Sequence, residues 1–286
     1  MRTVTTRAEL DEALTQLARP IALVPTMGAL HAGHAALIAA ARRSAASVVV
    51  SIFVNPRQFG SATDVDRYPR SLEADAHLAK ASGANLVFAP DVAEVYPPDE
   101  PVATIDPGPL ASRLEGASRP GHFAGVATVV SRLFDLVRPD QAFFGEKDAQ
   151  QVRVVEWLAA QRRDAVAIHR VATVRDTDEL ALSSRNQLLT AAGRTAAART
   201  IPVALSLVAE SFAAGITSVA MLRTLAERVT SSEERLSLDY LDFADSPTLT
   251  PLADTSHIGD AASGETLVSI AAIVDGVRLI DAITLP

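Results

Sequence analysis

The sequence predicts an α/β fold: a Rossmann-like, doubly wound parallel sheet followed by a smaller C-terminal α+β domain. Three observations carry this reading. Short apolar runs rich in β-branched residues alternate with helical spacing through the first part of the chain, the order that builds a parallel sheet with helices on both faces. One of those runs, Val48-Val-Val-Ser-Ile-Phe-Val54, is almost continuously apolar, as a strand buried on both faces must be. Beyond Val174 the texture shifts to long helical stretches and then to strands with a hairpin signal. The expected domains are therefore residues 1–174 and 175–286.

The first strand expected is Ile21-Ala-Leu-Val-Pro-Thr-Met27, followed by a glycine-containing turn and an Ala-rich helix over 34–43 with a basic end, which suits the negative pole of a helix. The run at 48–54 is the second strand, and Asn55-Pro56 ends it. An amphipathic stretch at 71–82 leads into a third strand over 84–90. The proline-rich segments 96–101 and 106–109 read as an excursion from the sheet. Helical spacing returns at 126–137, then a strand at 141–144, a helix at 148–163 and a strand at 165–173. The second domain opens with a long helix from Thr190 and another near 218–230, then strands at 236–243 and 267–283. Asp275-Gly276 inside the last of these is a two-residue hairpin turn.

Composition narrows the function. Among 286 residues, 26 Lys and Arg stand against 34 Asp and Glu, a formal charge of −8, which opposes the basic surface that a nucleic acid requires. There is no cysteine, so disulfides, thiolate zinc sites and Cys nucleophiles are excluded and a reducing compartment fits. The N-terminal residues mix charges without the apolar core of a signal peptide, and no apolar run is expected to span a membrane. A cytoplasmic protein acting on small molecules is the expectation.

Four segments carry candidate chemistry. Pro25-Thr-Met-Gly-Ala-Leu-His-Ala-Gly-His34 joins the first strand to its helix, the edge at which open α/β sheets bind ligands. Gly28 and Gly33 permit close backbone approach, and His31 and His34 share one face of the turn, where two imidazoles could hydrogen-bond a triphosphate. The same pair could instead simply cap the helix. Gly28 to Gly33 has Walker spacing, but His34-Ala35 replaces the required Lys and Ser or Thr, and no dinucleotide glycine fingerprint follows any strand. Phe53-Val-Asn-Pro-Arg-Gln-Phe59 places Asn55 and Gln58 at the end of the second strand, facing the same crevice if the two strands are neighbours, where their amides would contact a polar, hydroxylated substrate. A plain Asn-Pro turn is the other reading. Phe143-Phe-Gly-Glu-Lys-Asp-Ala-Gln-Gln151 sets Lys147 at a helix start, where the dipole disfavours a cation and an anionic partner would compensate, a solvated surface Lys being the other reading. Ser183, Ser184 and Arg185 offer two hydroxyls and a guanidinium for phosphate oxygens, or a helix cap with a solvated Arg.

In combination these segments resemble the pantoate–β-alanine ligase family over nearly the whole chain. The 27–34 stretch is similar to a signature shared with other nucleotidyltransferases and class I aminoacyl-tRNA synthetases. Phe53 to Phe59, Tyr68-Pro-Arg70, Leu114-Glu-Gly116, Arg119-Pro-Gly-His-Phe123, Phe144 to Gln151 and Ser183 to Asn186 are more specific. The resemblance implies ATP-dependent activation of pantoate as an acyl adenylate and its capture by β-alanine, in a homodimer whose C-terminal domain acts as a lid. It implies that Met27, Gly28, His31, Gly33 and His34 bind ATP, with His34 as proton donor and His31 beside it on the phosphates. Gly145, Lys147 and Asp148 would line the nucleotide site, with Lys147 on the phosphates and Asp148 near the ribose, and Val174, Leu182, Ser183, Ser184 and Arg185 would complete it. Gln58 and Gln151 would hold pantoate, with Gln58 also meeting β-alanine. Mg²⁺ would neutralise the β- and γ-phosphates with few protein ligands, Asp75 being the carboxylate nominated.

Two positions depart from the family pattern. Asp178-Glu179-Leu180 has Glu where the family usually has Gly, which forbids easy positive φ and adds negative charge. The acid pair after the 53–59 motif is reduced to Thr63-Asp64. Another nucleotidyltransferase of the same superfamily is the alternative enzyme, although the neutral amides of Gln58 and Gln151 are poorly suited to a phosphate-bearing acceptor. A non-catalytic nucleotide-binding module is a third reading, separable by whether pyrophosphate is released.

Overall fold

The structure is a computed structural model that describes residues 1–60, 65, 66 and 68–286; Thr63 and Asp64 lie outside the described residues. The chain forms two compact units. The first comprises Met1–Ala111, Arg119–Glu146 and Gln151–Ala172, and the second Ser112–Ser118, Lys147–Gln150 and Thr173–Pro286. The change of unit at Ala172 and Thr173 falls beside the boundary expected at Val174, but two short earlier segments also join the second unit.

The first unit is built on six parallel strands: β1 (Arg2–Val4), β2 (Ile21–Thr26), β3 (Ser47–Ile52), β4 (Leu86–Phe88), β5 (Gln141–Gly145) and β6 (Ala167–Val171). Their spatial order is β1-β4-β3-β2-β5-β6. Its helices are α1 (Arg7–Leu14), α2 (Ala32–Ser44), α3 (Leu72–Ala81), α4 (His122–Val137) and α5 (Ala149–Gln161), the last beginning within the second unit's segment. Alternate residues of one strand point to opposite faces of a sheet. Accordingly Leu23, Val49 and Leu86 pack with Leu10, Phe134 and Val155, whereas Val24, Val50 and Val87 pack with Ile38, Ala41 and Ala79. Both faces are thus covered, which is why β3 reads as an almost continuous apolar run, broken only by serine.

Sequence periodicity predicts no element at the N-terminus, yet β1 and α1 lie there. A three-residue strand is too short to show periodicity, but α1 does carry a visible start signal: Thr6 and Glu9 form a reciprocal capping box. Helix α4 also begins earlier than the expected residue 126, with Gly121 at φ 81° as its N-cap.

The second unit holds helices α6 (Ala191–Ala213) and α7 (Val219–Ser231) and the antiparallel strands β7 (Leu236–Asp245), β8 (Thr266–Val274) and β9 (Val277–Leu285). Thr190 caps α6 by accepting the Gly193 N–H at 2.9 Å. Asp275 and Gly276 both take positive φ, 49° and 80°, the geometry of the Asp-Gly hairpin turn. Among the described residues α6 alone is long and apolar enough to cross a membrane, where the sequence reading expects no such run. Its Ala197, Ile201, Leu205 and Val208 are buried in the core of this unit, so it is a core helix.

Candidate active site

The position of the site in the first unit follows from strand order. The chain runs β2, β3, β4 to one side and returns to β5 on the other side of β2, so the topological switch lies between β2 and β5. Their ladder covers only Ala22 with Gln141 and Leu23 with Ala142. Beyond it β2 stays paired to β3 as far as Thr26, and β5 to β6 as far as Gly145, so the carboxyl ends of β2 and β5 part.

The loop leaving β2 is held from below. Thr26 Oγ1 donates to the Ser51 carbonyl at 2.7 Å and accepts the Gly28 N–H at 3.3 Å. Gly28 has φ 87°, and a Cβ on it would lie 3.0 Å from Asp75 Oδ2 and 3.2 Å from Ile52 Cγ2. Ala29 follows, also left-handed at φ 50°. Asp75 on α3 accepts the Ala29 N–H at 3.0 Å and the Leu30 N–H at 2.7 Å, one on each carboxylate oxygen.

The two histidines of this loop cap α2 and also cap each other. His31 Nδ1 accepts the Gly33 N–H at 3.1 Å, and His34 Nδ1 accepts the His31 N–H at 3.2 Å. Their rings lie 4.1 Å apart between centroids. The helix-cap reading and the ligand reading of this pair are therefore compatible. A nitrogen that accepts a backbone N–H cannot carry a proton, so both neutral rings hold theirs on Nε2. The cap thus sets both imidazoles as Nε2–H donors.

Asn55 and Gln58 lie beside this loop because β3 pairs directly with β2, but their jobs differ. Asn55, 1% exposed, accepts from the Arg57 N–H at 3.2 Å and from Tyr96 Oη at 2.9 Å, and donates to Gln58 Oε1 and the Gly125 carbonyl, both at 3.1 Å. All four of its hydrogen-bonding positions are occupied by protein. That corrects the expectation of Asn55 as a substrate contact: it is the hub that orients Gln58. With its oxygen facing Asn55, the Gln58 amide turns Nε2 toward Met27, 3.0 Å from Sδ. The Gln58 carbonyl accepts from His122 Nδ1 at 2.8 Å and Arg119 Nη2 at 3.4 Å. Gly125 is required here, since a Cβ would run into the Arg57 carbonyl. Burial pushes the Tyr96 hydroxyl up to about 12 against the opposing effect of Arg57 and Arg132, so it stays a donor. Gly145 ends β5, and Gln151 is half-buried on α5.

The second unit holds candidates of its own. The Leu182 N–H donates to the Val174 carbonyl at 3.0 Å, and Arg175 pairs with Ala181 across the same turn. Ser183 Oγ accepts the Arg185 N–H at 3.2 Å, capping a 3₁₀ turn over Ser184–Leu188. Lys147 and Asp148 lie in a 3₁₀ turn over Glu146–Asp148. Glu179 is exposed and takes φ 62°, so the loop keeps the left-handed conformation although the usual glycine is gone.

Among the described residues no three His, Cys, Asp or Glu side chains are gathered as a metal site. Asp75, nominated for Mg²⁺, is 3% exposed with both oxygens on backbone N–H groups. The donor set therefore does not fit a protein-built Mg²⁺ site.

The family model of pantoate-β-alanine ligase matches residues 2–284. The chain belongs to the pantoate–β-alanine ligase family. It is 46% identical to the pantothenate synthetase of Corynebacterium glutamicum (strain R) over 288 residues, covering all of both chains. The pantothenate synthetase of Nocardia farcinica is 46% identical over 271 residues, 94% of this chain and 80% of the relative. Among solved structures, pantothenate synthetase from Thermus thermophilus matches with TM-score 0.89 and 42% identity over 99% of each chain. The pantoate-β-alanine ligase of Francisella tularensis, complexed with β-γ ATP and β-alanine, matches with TM-score 0.78 and 30% identity over 99% of this chain and 97% of its own. The chain is thus an enzyme of this ligase family.

Within the ligase fold, the sequence reading assigns no site roles to Tyr96, Arg119 and His122. Arg119 and His122 stand within a quoted family motif, and that motif is the available signal. Tyr96 stands in a proline-rich segment with no pattern that points to Asn55.

Proposed function

We propose that this enzyme condenses pantoate with β-alanine in two steps. The pantoate carboxylate attacks the α-phosphorus of ATP, the bond to the β-phosphate oxygen breaks and pyrophosphate leaves. The β-alanine amine then attacks the acyl carbon of pantoyl adenylate, a C–N bond forms, AMP departs and the amine proton passes to solvent. Such displacements depend on positioning and charge stabilisation more than on a covalent nucleophile.

One observation carries the reading: the reciprocal cap that makes His31 and His34 both Nε2–H donors at the carboxyl end of β2. Fixed donors of this kind stabilise charge that develops on a phosphoryl group. In this reading His34, the proton donor of the family resemblance, gives its neutral Nε2–H as a hydrogen bond to the departing pyrophosphate and keeps the proton, and His31 supports it, while Met27, Gly28 and Gly33 let the backbone approach the nucleotide. Gln58 presents the amide N–H that is not directed at Met27 Sδ to pantoate and meets β-alanine, and Gln151 also holds pantoate. The roles of Lys147 on the phosphates, of Asp148 near the ribose and of Val174, Leu182, Ser183, Ser184 and Arg185 around ATP rest on the family resemblance. The ligands named for the Francisella tularensis ligase, β-γ ATP and β-alanine, support the same substrates here. Mg²⁺ would arrive on the triphosphate rather than in a protein cage. A homodimer and a cytoplasmic setting follow the resemblance, and sedimentation velocity checks the former.

The test is pantoate-dependent exchange of labelled pyrophosphate into ATP, without β-alanine. Exchange is expected, and added β-alanine should then release AMP and pantothenate. ATP binding with no exchange would defeat the reading.

A further inference from the structure

We infer that Asp75 is a positioning residue for the nucleotide loop rather than a metal ligand, which deepens the ligase reading and rests on it for the identity of the ligand. The loop that follows β2 contains two consecutive left-handed residues, Gly28 at φ 87° and Ala29 at φ 50°. Ala29 has a Cβ and does not favour that conformation, so something outside the loop must hold it. The Asp75 carboxylate does so, taking the N–H groups of Ala29 and Leu30 at 3.0 Å and 2.7 Å. It reaches them from the first turn of α3, where the positive end of the helix dipole offsets the cost of burying a carboxylate. It also closes the space above Gly28, where any Cβ would stand 3.0 Å from Oδ2.

The consequence falls on His31 and His34. The Leu30 N–H that Asp75 holds immediately precedes His31, whose own N–H and Nδ1 make the reciprocal cap. With Asp75 in place the loop enters α2 in the orientation that makes the cap, and both Nε2–H donors are aimed before any ligand arrives. Without it, two partly buried backbone N–H groups lose their acceptor, a state that a chain relieves by changing the loop.

Asp75→Asn tests this, because the amide has the same shape but sets an NH₂ donor against one of the two N–H donors. Amide hydrogen exchange read by mass spectrometry should show the 27–33 segment exchanging at least tenfold faster, with β3 and the rest of α2 still protected. The dissociation constant for ATP should rise tenfold or more in calorimetry, the pantoate KM should stay within threefold, and the Mg²⁺ concentration for half-maximal activity should not move. Asp75→Glu, which keeps the charge on a longer arm, should recover part of the lost ATP affinity. Unchanged exchange in the 27–33 segment would overturn the inference whatever the chemistry catalysed, as would a shifted Mg²⁺ requirement whose correction at high Mg²⁺ restores ATP affinity. Failure of the wild-type protein to carry out pyrophosphate exchange would count against the ligase reading alone, because the exchange pattern of the loop is read without ligand.

Discussion

Replacing Glu179 by glycine should stabilise the protein, and the size of the effect can be worked from the turn it occupies. Glu179 takes φ 62°. Its N–H donates to the Asp176 carbonyl at 3.0 Å and its carbonyl accepts from Arg175 Nη1 at 3.1 Å. Arg175 is itself fixed by two bonds to the buried Asp281, at 2.6 and 3.1 Å, so residue 179 cannot leave the left-handed region without breaking contacts on both sides. Holding an L-residue there costs about 1–2 kcal/mol, while glycine costs about 0.4–1 kcal/mol more in unfolded-chain entropy. The difference predicts a gain of about 0.5–1 kcal/mol for Glu179→Gly, or about 1–4 °C in Tm. Because the side chain is exposed, its charge contributes little, and Glu179→Gln should stay within about 0.3 kcal/mol of wild type. Urea unfolding at neutral pH, followed by circular dichroism on all three proteins, measures both. A glycine variant no more stable than wild type, or a glutamine variant that gains as much, would refute the strain argument.

Three further outcomes are expected. His34→Ala should slow pyrophosphate exchange by about two orders of magnitude or more, while Tm falls only a few degrees because one lost cap contact is worth about 1 kcal/mol; near-normal exchange would remove His34 from the chemistry. Asn55→Ala leaves the Gly125 carbonyl, the Arg57 N–H, Tyr96 Oη and Gln58 Oε1 each without the partner they have. It should cost about 3 kcal/mol in denaturant unfolding and raise the pantoate KM about tenfold through a loosened Gln58. Asp242 has its carboxyl pushed up by burial, against a smaller lowering by Arg223. The fold therefore disfavours its charged form, and stability is lost as pH rises from the unfolded carboxyl pKa through the folded one. Asp242→Asn should be more stable than wild type at pH 7, with the gain disappearing as pH falls below about 4; a gain that persisted at pH 3 would assign the effect to packing instead.

How much of this was legible in the sequence depended on the range of the interactions involved. Strand β3 could be read because burial on both faces leaves a local mark, an almost continuous apolar run, and α6 because Thr190 and the Ala-rich stretch are adjacent in sequence. The pairing of His31 with His34 was also local: the cap reading describes the observed contacts, and the cap leaves each Nε2–H as the donor that the ligand reading needs. Asn55 was different. Its role as a hub depends on Tyr96, 41 residues on, and on the Gly125 carbonyl, 70 residues on, and no pattern around residue 55 distinguishes an amide that meets a ligand from one whose four positions are filled by protein. Asp75 posed the same problem. A carboxylate in the first turn of a helix can bind a metal, favour the dipole or hold a distant loop, and only its 46-residue and 45-residue reach to Ala29 and Leu30 separates the three.

Glu179 shows the limit of local propensity from the other direction. The family resemblance marks a glycine as missing at residue 179, and propensity alone would place the Glu there outside the left-handed region. The turn keeps its shape because the bonds that define it run between backbone atoms and Arg175, none of which requires a glycine side. A missing glycine therefore leaves the geometry in place and appears as a stability cost, which is why the decisive measurement at this position is of unfolding rather than of loop shape. A glycine hemmed in by neighbouring side chains should behave in the opposite way. At Gly28 the obstacle to a side chain is Asp75 and Ile52 as well as φ, so Gly28→Ala should disturb the nucleotide loop itself and lower ATP affinity.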